Sequence, residues 1–194
     1  MQPAGSARGV FRGQTERVTV RPATPADAAA LAVVAAATFP LACPPSTTDA
    51  AKADFIATQL SEARFAEYLA HPKRVLLVED PGGGAPLDGY AMLVLAEPTD
   101  ADAQAAVRIR PTCELSKIYV LADAHGSGVA GRLLAAAHDT ARAHGAAGMW
   151  LGTNVENARA VRFYEKHGFV KVGRKRFALG GVLEDDFVLE RPLG

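Results

Sequence analysis

The stretch SKIYVLADAHGSGVAGRLLAAAHDTARAHG, residues 116–145, decides the fold of this chain. It opens with a strand-forming run, continues through a glycine-rich turn, and ends in an alanine- and leucine-rich pattern that predicts a helix. Gly126, Gly128 and Gly131 have the spacing G-x-G-x-x-G, which binds a pyrophosphate when it joins a strand to a helix. The stretch therefore predicts a site for a phosphate-bearing ligand.

A dinucleotide-binding fold of the Rossmann type is one interpretation of this spacing. Glu156 lies at about the right distance to bind a ribose hydroxyl. However, five residues separate Val120 from Gly126, whereas the first glycine of that fold follows the strand almost at once. Only 63 residues follow Gly131, which is too few for two mononucleotide-binding halves. The sequence thus argues against an NAD(P)-dependent oxidoreductase, and the lack of Lys-Ser or Lys-Thr after the glycines argues against a P-loop.

The glycines can also serve a purely structural tight turn. A ligand explains them better, because an open turn exposes backbone N–H groups beside the positive end of the following helix. The strand before the turn can hydrogen-bond an extended, amide-bearing arm of the same ligand. Coenzyme A combines a pyrophosphate with such an arm, so these residues favour coenzyme A as the ligand.

Two segments resemble motifs of the GNAT superfamily of N-acetyltransferases. Residues 113–134, CELSKIYVLADAHGSGVAGRLL, resemble its acetyl-CoA motif, Gln/Arg-x-x-Gly-x-Gly/Ala, with His125 where glutamine or arginine is usual. Residues 157–169, NARAVRFYEKHGF, resemble its Asn-x-x-Ala…Phe-Tyr-x-x-x-Gly-Phe helix. With the strand order on either side, the resemblance covers about 175 residues. The final segments also resemble the branch that contains bacterial spermidine/spermine acetyltransferases, with Asp186 in the last strand.

The resemblance implies a mixed, mostly antiparallel central sheet flanked by helices. It implies an enzyme that moves an acetyl group from acetyl-CoA directly to a primary amine of a small molecule, with a polyamine as one acceptor. A non-catalytic acyl-CoA-binding module on the same fold is the alternative. The residues expected to contact acetyl-CoA are Ile118, Tyr119, Val120, His125, Gly126, Ser127, Gly128, Val129, Ala130, Gly131, Asn157, Ala160 and Tyr164.

Two side chains are the candidate catalytic groups. Glu114 lies near the start of the cofactor strand, where it would remove the amine proton directly or through water. Tyr164 would protonate the leaving thiolate, and the backbone N–H of Ile118 or Val120 would polarise the thioester carbonyl. Asn157 would bind the pantetheine arm or cap its helix. A β-bulge within KIYVLAD, residues 117–123, would separate this strand from the next and open the ligand slot.

Other notable residues have simpler interpretations. Trp150 is expected in the core, and Cys113 is expected to be a small buried hydrophobe rather than an acyl carrier. The basic run RKR, residues 174–176, is expected on a solvated face, with the 3′-phosphate of the cofactor as the alternative. The acidic run EDD, residues 184–186, is expected in a turn, with a cationic-substrate site as the alternative.

Composition bounds the rest of the interpretation. The 194 residues are 49% hydrophobic, which suits one N-acetyltransferase domain over residues 17–194 after a disordered leader over residues 1–16. A formal net charge of zero argues against a nucleic-acid partner, and no apolar run long enough for a membrane span stands out. Two distant cysteines indicate the cytoplasm, and no His/Cys/carboxylate cluster predicts a metal. A monomer or a homodimer is expected.

The pattern of helices and strands has one ambiguous stretch. The predicted order is β-α-α-β-β-β-α-β-α-β-β, with a right-handed parallel β-α-β unit in its middle. Residues 98–111 are polar and predict a loop. Pro40, Pro44 and Pro45 are expected to stop the first helix, and His144 is expected to share the buried face of the helix after the glycine turn.

Overall fold

Seven strands and six helices make up the part of the chain that the computed structural model describes, residues 19–194. The expected leader over residues 1–16 lies outside the described residues. The strands are β1 Thr19–Pro22, β2 Arg74–Asp80, β3 Gly89–Val94, β4 Thr112–Val120, β5 Gly148–Asn154, β6 Val170–Leu179 and β7 Val182–Pro192. The helices are α1 Ala28–Ala42, α2 Asp49–Gln59, α3 Glu62–Ala70, α4 Ala101–Ala106, α5 Val129–Ala143 and α6 Ala158–Lys166.

All seven strands form one sheet in the order β1-β2-β3-β4-β5-β7-β6. Every neighbouring pair is antiparallel except β4 and β5, which are parallel and are joined by α5. The expected mixed, mostly antiparallel sheet with flanking helices is therefore confirmed. Its one parallel junction lies at the glycine-rich turn, which is where the sequence predicts the ligand site.

Each face of the sheet has its own core. Helix α5 covers one face with a stripe of buried side chains, among them Leu133, Leu134, Ala137 and Ala141. The first three helices cover the other face. His144 was wrongly expected on the buried stripe: it is exposed, because α5 ends at Ala143 and the following Gly145 takes a positive φ of 82° that turns the chain away.

Helix α1 runs through Pro40 instead of stopping there, which corrects the expectation from the sequence. Pro40 falls in the last turn, so its missing N–H and its ring disturb only the end of the helix, and α1 closes at Ala42. By length and composition alone, the helical stretch from Pro25 to Ala42 could cross a bilayer, which the sequence analysis did not anticipate. Leu31 and Phe39 from this stretch are buried in the core beside α3.

A short helix, α4, replaces the loop predicted for residues 98–111. Asp100 caps it by accepting a hydrogen bond from the Ala103 backbone N–H at 2.8 Å. Ala103 and Ala106 pack with the buried Trp150 on the sheet, so tertiary packing stabilises a six-residue helix that has no strong apolar pattern of its own. The core positions expected for Trp150 and Cys113 are confirmed.

Strands β4 and β5 separate after only three paired positions, Thr112–Gly148, Cys113–Met149 and Glu114–Trp150. Ser116 is an extra residue in β4, because Glu114 and Leu115 pair with β3 in a different register from Lys117. The predicted bulge is thus real but lies one residue before the stretch expected to hold it. The change of register lets Leu115 and Ile118, three residues apart, both face the core under α5.

Candidate active site

The gap between the diverging ends of β4 and β5 is a cleft of about 840 Å³. That volume lies within the range typical of small-molecule sites. One end reaches the glycine turn and the start of α5, and the other end lies between α1, α2 and the strands β6 and β7. All the residues expected at the cofactor site line this cleft except Ser127, whose hydroxyl donates to the Ala124 carbonyl at 2.6 Å.

The glycine turn needs its glycines for two separate reasons. Gly126 and Gly128 have φ values of 84° and 86°, which side-chain-bearing residues rarely adopt. Gly131 lies in the first turn of α5 and lines the cleft, and a Cβ built there would meet no atom within 4 Å. A glycine in a helix costs about 1 kcal/mol relative to alanine. Packing within the described residues does not require Gly131, and its backbone lies open to the cleft.

The turn is fastened to the sheet by a side chain that the sequence analysis did not single out. Arg132 donates from Nε to Oε1 of Glu79 at 2.7 Å and from a terminal nitrogen to the Ser127 carbonyl at 3.0 Å. The Glu79 side chain is fully buried in β2. The guanidinium thus ties the turn to a fixed point in the core, which holds the backbone N–H groups of the turn in place.

His125 does not stand alone at the position where arginine or glutamine is usual. Its Nε2 lies 3.0 Å from the Val120 carbonyl, and the two terminal nitrogens of Arg159 lie 3.2 Å from its Nδ1 and 3.1 Å from its Nε2. Arg159 comes from the first turn of α6 and also lines the cleft. Another helix therefore supplies the guanidinium that the turn lacks. Arg159 was not among the predicted site residues, because 34 residues separate it from His125 in the chain.

Tyr164 lines the cleft from the second half of α6. Its ring packs edge-on against Phe169 at 5.6 Å, and only 8% of the residue is exposed. In the described part of the chain, no group hydrogen-bonds its hydroxyl, although the residue lines the cleft. Burial raises the pKa of Tyr164 above its usual value, so the hydroxyl keeps its proton at neutral pH.

Glu114 lies where β4 and β5 separate. It is the last residue of β4 that pairs with β5, and its side chain lines the cleft. Burial raises the pKa of Glu114, while Lys117, Lys175 and Arg74 act in the opposite direction. A carboxyl group with a raised pKa is a stronger base than an ordinary solvent-exposed glutamate. Its position and its pKa both suit a group that takes a proton from an incoming amine.

Asn157 caps α6. Its Oδ1 accepts a hydrogen bond from the Ala160 backbone N–H at 3.0 Å, and the residue also lines the cleft. This side chain was expected either to bind the pantetheine arm or to cap the helix, and the structure shows that it caps the helix. The cap fixes the first turn of α6, which carries Arg159 and precedes Tyr164 by two turns.

The far end of the cleft is charged and aromatic. Phe39 and Phe55 stack at 4.5 Å, and Phe177 meets Phe55 edge-on at 5.8 Å. Beside this wall, the Lys175 ammonium lies 3.8 Å from the Asp186 carboxylate. Gly152 leaves the space for this pair, because a Cβ built there would come within 2.6 Å of Lys175.

Two expectations about charged runs need correction here. Glu184–Asp186 lie in β7 and not in a turn, which falls at Gly180 and Gly181 instead. Arg174 and Arg176 are exposed as expected, but Lys175 points into the cleft because neighbouring residues in β6 alternate between its faces.

Burial raises the pKa of Asp186 to about 6. Over the described residues, no group of three His, Cys, Asp or Glu side chains could hold a metal ion.

Comparisons with known proteins agree with the geometry. The model of the acetyltransferase (GNAT) family matches residues 46–169. An uncharacterised N-acetyltransferase of Mycobacterium tuberculosis, strain H37Rv, is 44% identical over 167 residues, which cover 86% of this chain and 98% of that protein. An uncharacterised N-acetyltransferase of Mycobacterium bovis is similar to the same extent.

Solved structures share the fold at lower identity. The PaiA N-acetyltransferase of Thermoplasma acidophilum, in complex with coenzyme A, has a TM-score of 0.70 at 17% identity and covers 91% of this chain and 99% of its own. YncA of Salmonella typhimurium, a putative acetyltransferase solved with acetyl-CoA, has a TM-score of 0.59 at 24% identity and covers 92% of this chain and 95% of its own.

Proposed function

Since the chain belongs to the GNAT family of acetyltransferases, we propose that it moves the acetyl group of acetyl-CoA to the primary amine of a small molecule. The observation that carries the proposal is the cleft between β4 and β5, which joins the glycine turn to a charged, aromatic pocket. One end suits a pyrophosphate and the other suits an acceptor. The family shown by these comparisons is one of acetyl-CoA-dependent acyltransferases, so the chain is an enzyme of that class.

The glycine turn and α5 would hold the pyrophosphate of acetyl-CoA. The backbone has open space beside it at Gly126 and Gly131, and the α5 dipole adds partial positive charge. Arg159 would add a full charge at the same end. The part of β4 beyond its last pairing with β5 would hydrogen-bond the amides of the pantetheine arm through Ile118 and Val120.

Acetyl-CoA, when bound, supplies an acetyl group activated as a thioester. Glu114 would accept the proton of the attacking ammonium, so that the neutral amine reaches the carbonyl carbon. The backbone N–H of Ile118 or Val120 would donate to the carbonyl oxygen as negative charge develops there. Tyr164 would donate its proton to the departing sulfur. Glu114 and Tyr164 both line the cleft, so the chain has one candidate for each proton transfer.

A polyamine is the acceptor that the resemblance to spermidine/spermine acetyltransferases implies. Glu184 and Asp186 line the acceptor end and would favour a cation, which supports a polyamine as a candidate. Lys117 and Lys175 line the same end and oppose it. We also propose the cytoplasm as the compartment, because both cysteines are free, and a monomer or homodimer as the assembly.

A thermal-shift titration followed by an acceptor screen tests the function. Acetyl-CoA at about 100 times its Kd should stabilise the protein by about 2.7 kcal/mol, and NADH should not stabilise it. A panel of primary amines should then release free CoA thiol from acetyl-CoA. Stabilisation by acetyl-CoA without thiol release for any amine would favour a non-catalytic acyl-CoA-binding module. Stabilisation by NADH alone would refute the proposal.

A further inference from the structure

The bulge at Ser116 places two opposite charges on the same side of the sheet. In a regular strand, residues three apart point to opposite faces. Here Glu114 pairs with Val94 and Lys117 pairs with Met92, and those two β3 residues are two apart and share a face. Glu114 and Lys117 therefore both point toward the acceptor side, and both line the cleft.

Lys117 forms no ion pair within residues 19–194. No carboxylate in the described part of the chain lies within 4.0 Å of its ammonium. The ammonium lies 5.6 Å from the centre of the Tyr68 ring, and the Arg74 guanidinium lies over the same ring at 4.4 Å. Burial, together with Arg74, outweighs the attraction of Glu114 and lowers the pKa of Lys117 to about 8. A cation in such a place gains much from an anionic ligand.

Two of the other acceptor-side charges form a pair with each other. Lys175 and Asp186 lie 3.8 Å apart and neutralise each other. Glu114 has no ammonium or guanidinium within 4.0 Å among the described residues, although Lys117 is the cation that affects its pKa most. The cleft thus offers an anion and a cation that form no ion pair with each other, which suits the two ends of a dipolar ligand.

We propose that the acceptor is a zwitterion: a primary amine that carries a carboxylate a few bonds away, as in a free amino acid. The amine lies beside Glu114 and the carboxylate lies beside Lys117. The stacked ring of Phe55, with Phe39 and Phe177, forms an apolar wall for the rest of the acceptor, which favours an apolar or aromatic side chain. This inference rests on the proposed function and names the substrate class at the same site.

Lys117 also lines a second, smaller cleft that adjoins the first between α2 and the β6–β7 turn. Lys117 therefore lies where the two clefts meet, within reach of an acceptor in the larger one. A polyamine has no group for this site and would place a second cation against Lys117. The charge on this lysine therefore discriminates against polyamines as well as selecting acids.

The test compares matched acceptors with acetyl-CoA, by release of CoA thiol. The panel contains phenylalanine, its carboxamide, 2-phenylethylamine and spermidine. The first three share one aromatic group, and only phenylalanine carries a carboxylate. The other amino acids extend the panel. Rates are compared per free amine, because the amine pKa differs between these compounds. We expect kcat/KM for the preferred amino acid to exceed that for its carboxamide by about 10- to 100-fold, as expected for loss of a hydrogen bond to a charged group.

Variants separate the role of the charge from a general effect. Lys117→Met should bring the acid-to-amide ratio close to one, and Lys117→Arg should keep most of it. Lys73→Met removes a charge from an exposed lysine outside the cleft and should leave the ratio unchanged. Should Lys117→Met not fold, Lys117→Gln replaces it, and the wild-type panel decides alone if neither folds.

The possible failures are distinguishable. Equal or better use of spermidine, or of the carboxamides, would overturn the zwitterion proposal and leave the acetyltransferase function standing. If calorimetry shows that acetyl-CoA binds but none of the amines in the panel causes thiol release, the proposed function itself is overturned.

Discussion

The Nε of Arg132 lies 2.7 Å from Oε1 of Glu79, a carboxylate that is fully buried in β2. Fifty-three positions separate the two residues in the chain. Arg132 also donates to the Ser127 carbonyl, so this ion pair connects the core of the sheet to the turn that would bind acetyl-CoA. The backbone N–H groups of the turn are thus held in position before any ligand arrives, which lowers the entropic cost of binding.

Removal of Arg132 should therefore affect both stability and cofactor binding. We expect Arg132→Met to lower the free energy of unfolding by about 2–3 kcal/mol, below the 3–5 kcal/mol of a fully buried pair because the guanidinium is 44% exposed. The Kd for acetyl-CoA should rise. Urea unfolding and calorimetry measure the two effects. The double variant with Glu79→Gln should lose less stability than the two single losses summed, and strict additivity would refute the coupling.

Gly131 permits a test in which stability and binding change in opposite directions. Gly131→Glu should stabilise the fold, because glutamate favours a helix more than glycine and suits its N-terminal turn. The same carboxylate would occupy the pyrophosphate site, so the Kd for acetyl-CoA should rise at least tenfold. Ala135→Glu adds the same charge on the exposed side of α5 and should leave binding unchanged. Unaltered affinity in Gly131→Glu would remove the turn from the cofactor site.

Tyr164→Phe tests the proposed acid. The hydroxyl acts only as the sulfur gains negative charge, so kcat should fall while KM for acetyl-CoA stays nearly the same. We expect a loss of about 100-fold or less, because a thiol with a reference pKa of about 8.5 is a good leaving group. Rapid-mix kinetics under conditions where chemistry limits turnover measure the effect. Wild-type kcat there would assign Tyr164 to the core alone.

The pH dependence of kcat/KM should report on Glu114 and Lys117. Burial raises the pKa of Glu114, so the rate should climb with pH as this carboxyl ionises, and Glu114→Gln should flatten that limb. Burial, together with the Arg74 charge, lowers the pKa of Lys117 to about 8, while Glu114 acts in the opposite direction and the Tyr68 ring lies 5.6 Å away. Above that pH its positive charge is lost, so kcat/KM for a carboxylate-bearing acceptor should fall.

The matched acceptor without a carboxylate is the control for the alkaline limb. Its kcat/KM should show no decline near pH 8, because Lys117 makes no ion pair with it. A decline of the same size for both acceptors would assign the limb to another group and not to Lys117.

The sequence predicted the features that depend on local pattern. The strand before Gly126, the helix after Gly128, the cap at Asn157 and the antiparallel pair at the C-terminus all follow from neighbouring residues. Helix α4 escaped prediction because packing under Trp150 stabilises it, and that contact spans more than 40 residues of chain.

The parts of the site that the sequence did not reveal depend on distant contacts. Arg159 meets His125 only after α6 has folded back beside the turn, and Lys175 enters the cleft only because β6 pairs with β7. A run such as RKR carries no sign of which side chain turns inward. The pairing register of a strand with its neighbours determines which side chains face the cleft, and β-bulges shift that register.

The early separation of β4 and β5 also creates a mechanical seam through the protein. Strands β1 to β4 lie on one side and β5 to β7 on the other, and only three paired positions bridge the sheet between them. Beyond Glu114, this edge of β4 pairs with no strand among residues 19–194, which exposes its backbone amides to exchange with solvent. A pantetheine arm bound along that edge would form hydrogen bonds with β4 and bridge the two parts of the sheet. Cofactor binding would therefore slow amide exchange in β4 and make the two parts unfold as one cooperative unit.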